Sequence, residues 1–260
     1  MNNIYPIKKF KITDNYVLIY LDDQNIMVDI DTYNEYNLYN KRHLDKDLYD
    51  ILIAKEKIFK AYRSCLKKLS IKDCSIKQIK DYLIKKELNE DDINNIINKL
   101  IDYNLLNDDD YCINRINSLN NNNHSYDDIK YRLIKDGIDI DIIEKYLYYD
   151  NKNEYDKALN LFNKYNKTIT NKSLKLKKQN ILQKLINSGF HYDLAKNIID
   201  NNDVFVENEL ELLKKQYLSL YNRYSKKYDA YELRNRIYNN LLSKGYKTDD
   251  IKSVMEELHE

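Results

Sequence analysis

The sequence predicts a mainly α fold: tandem three-helix repeats in an elongated, curved array, with a small N-terminal antiparallel β-meander. Three observations predict it. The stretch Leu83 to Ile97 returns at Leu133, Leu185 and Leu241, at offsets of 50, 102 and 158 residues. The chain's only three glycines, Gly137, Gly189 and Gly245, occupy one position of that repeat. Near the N-terminus a short apolar run, Val17 to Leu21, precedes the turn-forming Asp22-Asp23-Gln24-Asn25 and stands apart from the helical pattern.

Within the repeat, one apolar column reads Ile79, Ile129, Ile181, Ile237, the next Leu83, Leu133, Leu185, Leu241, and a third Ile84, Ile134, Ile186, Leu242. These fall at i, i+4 and i+5, which predicts one buried helix face. A turn position follows, Glu87, Gly137, Gly189 or Gly245, and then an apolar residue, Leu88, Ile138, Phe190 or Tyr246. Glycine enters the left-handed region without a Cβ penalty, so it ends a helix there while the next apolar residue packs back on the last turn. Glu87 breaks this rule, and the first repeat must end its helix differently or carry strain. Asn89 and Asp139 read as N-caps of the helix after the turn. Asp91, Asp141, Asp193 and Asp249 then stand in register. A carboxylate in a helix's first turn meets the positive end of the dipole, worth about 0.3–1 kcal/mol, and this is preferred to a metal or catalytic reading.

Residues 1–53 form the meander and a connecting helix. Strands are expected over 5–12, 15–22 and 25–30, with helical signals from Asp31-Thr32 and again from Leu44-Asp45. Repeat one takes residues 54–106. It has a helix over 54–70, a second opened by the capping-box pattern Ser75-Ile76-Lys77-Gln78, and a third from Asn89 to about Tyr103. Repeat two takes residues 107–150. Asn107-Asp108-Asp109-Asp110 caps its first helix, through about Leu119, and Ser125 caps the next after the asparagine run at 120–123. Repeat three, 151–203, opens with a helix carrying Tyr155, Ala158, Leu159, Phe162 and Tyr165, and continues with helices to Ser188 and Asn201. Repeat four, 204–260, has a longer first helix over about 206–227, then helices over 229–244 and 248–258.

The charge is nearly balanced, 43 Lys+Arg against 42 Asp+Glu, whereas a protein that lives by phosphate contacts is usually more basic. The 26 tyrosines sit in a composition dominated by Asn, Lys, Ile and Asp, which reflects A+T-rich coding; they read as packing residues at module borders. Cys65, Cys74 and Cys112 are odd in number and lack paired metal-ligand spacing, so reduced, buried thiols are expected. His43, His124, His191 and His259 fall at turns or the terminus and read as solvated. No metal and no cofactor are implied. Met1-Asn2-Asn3-Ile4-Tyr5-Pro6 lacks a secretory pattern and no apolar run approaches ~18 residues, so a cytoplasmic monomer without membrane contact is expected. No glycine-rich phosphate loop, His-x-x-x-His pair or nucleophile elbow is present, and enzyme activity is not expected.

A three-helix unit with a tight turn is compatible with a helix-turn-helix reader, but the third helices carry acids as often as bases. The second helices are more basic, with Lys77, Lys80, Lys85 and Lys86, then Lys130, Arg132 and Lys135. Lys80 and Lys130 share one repeat position, and Lys85 and Lys135 another. Lys80, Lys85, Lys130, Arg132 and Lys135 are therefore the candidate partner-binding residues, and Gly137, Gly189 and Gly245 the structural turns.

The three-helix repeats, the turn Lys135-Asp136-Gly137-Ile138 and the phrase from Ile101 to Tyr111 (IDYNLLNDDDY) together resemble the RecX family. The resemblance covers roughly residues 5–258 and is strongest over 60–150. It implies a non-enzymatic regulator of the recombinase RecA. Such a protein lies along the RecA filament on single-stranded DNA, bridges its protomers and lowers ATP turnover and strand exchange, with at most weak contact to DNA itself. The alternative is a helical-repeat DNA-binding or transcriptional module that acts without RecA; steep salt dependence and duplex binding would mark it.

Overall fold

The computed structural model describes residues 4–206 and 208–258, so His259 lies outside the described residues. Strands β1 (Tyr5–Pro6), β2 (Lys9–Ile12), β3 (Val17–Tyr20), β4 (Asn25–Val28) and β5 (His43–Leu44) form two antiparallel sheets. One is the meander β2-β3-β4; the other is the short ladder β1-β5. The expected meander is present, but residues 5–12 are not one strand. Ile7 N–H donates to Arg42 O at 2.9 Å, and Lys8 N–H donates to Tyr20 O at 2.8 Å, so the chain changes partner between them. Pro6, which has no N–H to give, ends the first ladder.

Pairing of Val17 with Val28 and Ile19 with Ile26 puts four apolar residues on one face, each almost fully buried. Helix α1 (Ile30–Glu35) is capped by Asp29, whose carboxylate accepts from Thr32 N–H at 2.7 Å. Helix α2 (Lys46–Leu69) is capped by Asp45 in the same way. It is one continuous helix, so the border drawn at residue 54 falls inside it. Its first half gives Leu48 and Leu52 to the meander core, and its second half gives Ala61 and Cys65 to the core of repeat one.

The remaining helices follow in sets. They are α3 (Ile76–Ile84) and α4 (Glu90–Asp102); α5 (Asp108–Asn121), α6 (Tyr126–Asp136) and α7 (Ile140–Tyr146); α8 (Asn151–Thr168), α9 (Leu174–Asn187) and α10 (Tyr192–Asn201); and α11 (Glu209–Tyr224), α12 (Ala230–Ser243) and α13 (Thr248–Glu257). Helix α11 is shorter than the apolar stripe suggested. The asparagine run is partly helical, α5 extending to Asn121 before Asn123 turns left-handed at φ 58°.

The chain forms two compact units: residues up to Ile113 with Ile134–Ile142, and Asn114–Leu133 with Ile143 onward. The division passes through repeat two. In the first unit, repeat one closes over Cys65, Ile79, Leu83 and Leu100. In the second, repeat three closes over Ala158, Phe162, Ile181 and Leu185, and repeat four over Leu213, Tyr217, Ile237 and Leu241. All three thiols are free and buried. Burial pushes Cys65 and Cys112 up to about 11 and raises Cys74 as well. Among the described residues no helix is long and apolar enough to cross a membrane.

Candidate functional site

The second helix of each repeat, α3, α6, α9 and α12, carries the recurring positions. The first two columns are core, every residue of them at 1% exposure or less. The third is not: Ile84, Ile134 and Leu242 are 53%, 50% and 43% exposed, and Ile186 is half-buried. The expectation of one buried face is corrected here, and helix geometry gives the reason. At 100° per residue the i and i+4 columns lie about 40° apart, but i+5 stands about 100° beyond i+4 and leaves the groove. Repeats one, two and four thus present an aliphatic side chain at the surface just before the turn.

The turns behave as expected, with φ of 87°, 87° and 84° at Gly137, Gly189 and Gly245. Glu87 adopts the same left-handed geometry at φ 57°, and its N–H closes the same bond, to Ile84 O at 3.0 Å. The glycines have a second requirement that the local sequence hides. A Cβ on Gly137 would lie 2.5 Å from Lys77 Cβ, one on Gly189 would overlap Ser125 Oγ, and one on Gly245 would lie 3.1 Å from Ser173 Oγ. Each neighbour opens the second helix of the preceding repeat. Repeat one is preceded by the meander and α1 instead, and Glu87 is exposed, its carbonyl accepting from Lys57 Nζ at 2.7 Å.

Those contacts belong to a recurring junction. Ser75, Ser125 and Ser173 are each at most 1% exposed and cap their own helices, accepting from Gln78, Asp128 and Leu176 N–H at 3.2, 3.1 and 3.3 Å. Ser75 also donates to Asp136 O, and Ser173 to Lys244 O, both at 2.5 Å. The next amide is met by a carboxylate from the first helix of the following repeat. Ile76 N–H donates to Asp108 at 2.9 Å, Tyr126 N–H to Glu154 at 3.0 Å, and Leu174 N–H to Glu209 at 2.7 Å. Burial pushes the Asp108 carboxyl upward against the lowering effect of the Ile76 amide. Gln78 does not complete a reciprocal capping box; its amide reaches Asp136 at 2.9 Å, where Tyr111 also donates. The fourth position is Asp229, exposed and capping only its own helix.

Three of the five candidate cations are less available than the sequence suggested. Lys80 faces Glu90 at 3.7 Å, Lys130 faces Glu144 at 3.4 Å, and Arg132 Nε donates to Asp128 at 2.8 Å. Lys85 and Lys135 are exposed, with no carboxylate partner among the described residues. The positions 80/130 and 85/135 also lie about 140° apart around the helix, so they do not share one face. Arg132 and Lys135 lie within about 60° of each other on α6. His124 is not a solvated residue: its Nδ1 stands 2.6 Å from Asp128. The four aligned aspartates are exposed in the first turns of α4, α7, α10 and α13.

Family models described as "RecX, first three-helix domain" and "RecX, third three-helix domain" match residues 61–100 and 207–255. The regulatory protein RecX of Streptococcus agalactiae serotype Ia is 34% identical over 194 residues, 73% of this chain and 74% of that protein. The chain belongs to the RecX family. The RecX of Lactococcus lactis subsp. cremoris strain SK11 is 29% identical over 265 residues and spans 99% of this chain and 98% of its own length. A crystal structure of regulatory protein RecX covers 76% of this chain with a TM-score of 0.57 at 21% identity, which shows a shared fold. The third-domain model of the RecX family falls on repeat four of this chain.

Sequence reasoning missed the junction carboxylates. Their only signal was an acid near the start of each first helix, and it is masked by the ordinary preference for acids there. It also missed the surface position of Ile84, Ile134 and Leu242.

Proposed function

We propose that this chain is a non-enzymatic cytoplasmic regulator that binds the RecA filament on single-stranded DNA. There it lowers ATPase and strand exchange, and so modulates recombination, DNA repair and the SOS response. The observation that carries this is membership of the RecX family, whose relatives are named regulatory proteins. The repeated surface supports it. Ile84-Lys85 and Ile134-Lys135 offer the same exposed aliphatic-plus-cation pair twice, which suits a partner that itself repeats and gains avidity from several weak contacts.

The test is RecA ATPase and strand exchange on single-stranded DNA, with the full chain acting as a monomer. Both rates fall as the protein is added if the reading holds; rates that stay level overturn it. Duplex binding without RecA, lost steeply with salt, would replace it by a DNA-binding module. Ion pairing of Lys80, Lys130 and Arg132 with carboxylates of the chain itself disfavours that second reading.

A further inference from the structure

The meander has two edges, and the chain closes one of them. In β4, Leu21 N–H donates to Gln24 O at 3.0 Å, and bonded pairs alternate from there, which turns Asn25 and Met27 away from β3. Helix α2 meets that side: Met27 N–H donates to Glu56 Oε1 at 2.7 Å.

The β2 edge is different. Among the described residues β3 is its one strand partner. Thr13 N–H donates to Tyr16 O at 2.9 Å, so Lys11–Leu18 and Lys9–Tyr20 exchange the ladder bonds. The N–H and C=O groups of Phe10 and Ile12 then face away from the sheet, and among the described residues they meet no partner there.

The side chains along this edge fall into two sets. Phe10 and Ile12 stand opposite Ile19 and Val17, both fully buried, and so belong to the core face. Phe10 is half-buried against Tyr33, the rings 5.4 Å apart, yet Ile12 is 59% exposed. The core face therefore runs past the last strand. On the other face Lys9 lies 4.6 Å from the Tyr20 ring centre, and Lys11 is exposed with no carboxylate partner among the described residues. Lys8, beside them, is held by Asp22 at 2.8 Å.

Lysine on an edge strand guards against pairing between copies. Antiparallel pairing of two β2 edges would set the lysines of both copies on one face, where like charges repel. The same charges favour a strand that carries acids. Glu56 at β4 already shows a carboxylate accepting from an edge N–H of this sheet.

We propose that β2 takes an extended acidic segment of a partner protein as a fourth strand of the meander. The segment's backbone pairs with Phe10 and Ile12, an apolar side chain covers Ile12 on the core face, and alternate acids meet Lys9 and Lys11 on the other. Backbone bonds supply affinity in such strand addition, and the alternate side chains supply selectivity. The proposal does not rest on the filament reading.

Amide exchange of the full chain, followed by nuclear magnetic resonance, tests it with a short peptide alternating glutamate and valine as the probe. The peptide binds, slows exchange at Phe10 and Ile12, and leaves Lys11, already in the ladder, as it was. The same peptide with lysine for glutamate does neither. Lys9→Gln with Lys11→Gln weakens binding by about threefold or more, the loss of two cross-strand charge pairs. Ile12→Pro removes an outward N–H and the apolar contact, and weakens it by about tenfold or more. The lysine variant changes exposed residues alone, so a folding defect in Ile12→Pro leaves the proposal open to test. No binding, or binding unchanged in the lysine variant, overturns it. Binding without slowed exchange at Phe10 and Ile12 also overturns it, as charge attraction without a strand. Slowed exchange there in the chain alone, as its concentration rises, overturns it in favour of a second copy. RecA inhibition measured with and without the peptide keeps the two readings apart, since either can fail while the other stands.

Discussion

At position 87 and its three equivalents one backbone torsion meets different surroundings. Gly137 combines a φ of 87° with a neighbour, Lys77, where a Cβ would go. Gly137→Val should therefore cost the strain of a β-branched residue at positive φ, about 1–3 kcal/mol, plus displacement of the Lys77 stem. A urea titration reads it as a lowered midpoint, and an unchanged midpoint would mean the turn bears no load. Glu87→Gly faces no such neighbour and relieves the same torsion, so it should be neutral or stabilising in that titration. The thiols make a second residue-scale prediction. With Cys65 and Cys112 pushed up to about 11, both remain protonated at neutral pH, and the thiolate is the reactive species. Iodoacetamide at pH 8 should label the three cysteines only after urea is added, and reductant should leave the thermal midpoint where it was. The glycines were legible because the chain spends so few of them. Why Glu87 is tolerated was not legible, since the reason is the kind of element that precedes repeat one.

At the scale of elements, the junction predicts coupling between helices far apart in sequence. Ser173→Ala removes both a cap and a bond to the last turn of α12, so it should cost about 1–2 kcal/mol. Amide exchange should quicken at the start of α9 and also at the turn of Gly245 and Tyr246. Asp229→Ala, which removes a cap alone, should quicken exchange only at the start of α12. Equal spread from both variants would argue that the serine is an ordinary cap. Helix identities were readable from the 3.6-residue period, and the caps at Asp45, Ser75, Asn89 and Asn107 from their side chains. The period also held the exposure of the i+5 column, which an apolar residue type at Ile84, Ile134 and Leu242 disguised as core. It could not show that α2 serves two cores, because Leu48, Leu52 and Cys65 continue one apolar pattern.

At the scale of the whole molecule, the partner surface divides the candidate cations. Reversing Lys85 and Lys135 to glutamate should weaken inhibition of RecA by several-fold without loss of helical signal, since both are exposed and have no carboxylate partner among the described residues. Reversing Lys80 and Lys130 should weaken it less, because Glu90 and Glu144 already neutralise them. Lys247 and Lys252 serve as the control in repeat four; Lys244 does not, its ammonium desolvated beside Arg223 and Lys172. Equal losses from all three sets would point to diffuse charge. The candidate site was legible only as a list of repeated lysines, because the carboxylates that occupy some of them come from other turns or other helices. The serine junction also sets a timetable. Ser75 reaches a carbonyl 61 residues further along the chain, and Ser173 one 71 residues along. At a ribosome's pace of about 5–20 residues per second, α3 and α9 each emerge roughly 3–14 s before the residues that complete their capped ends. While the chain is being made, repeats one and three thus stay unsealed until the repeat that follows each has emerged.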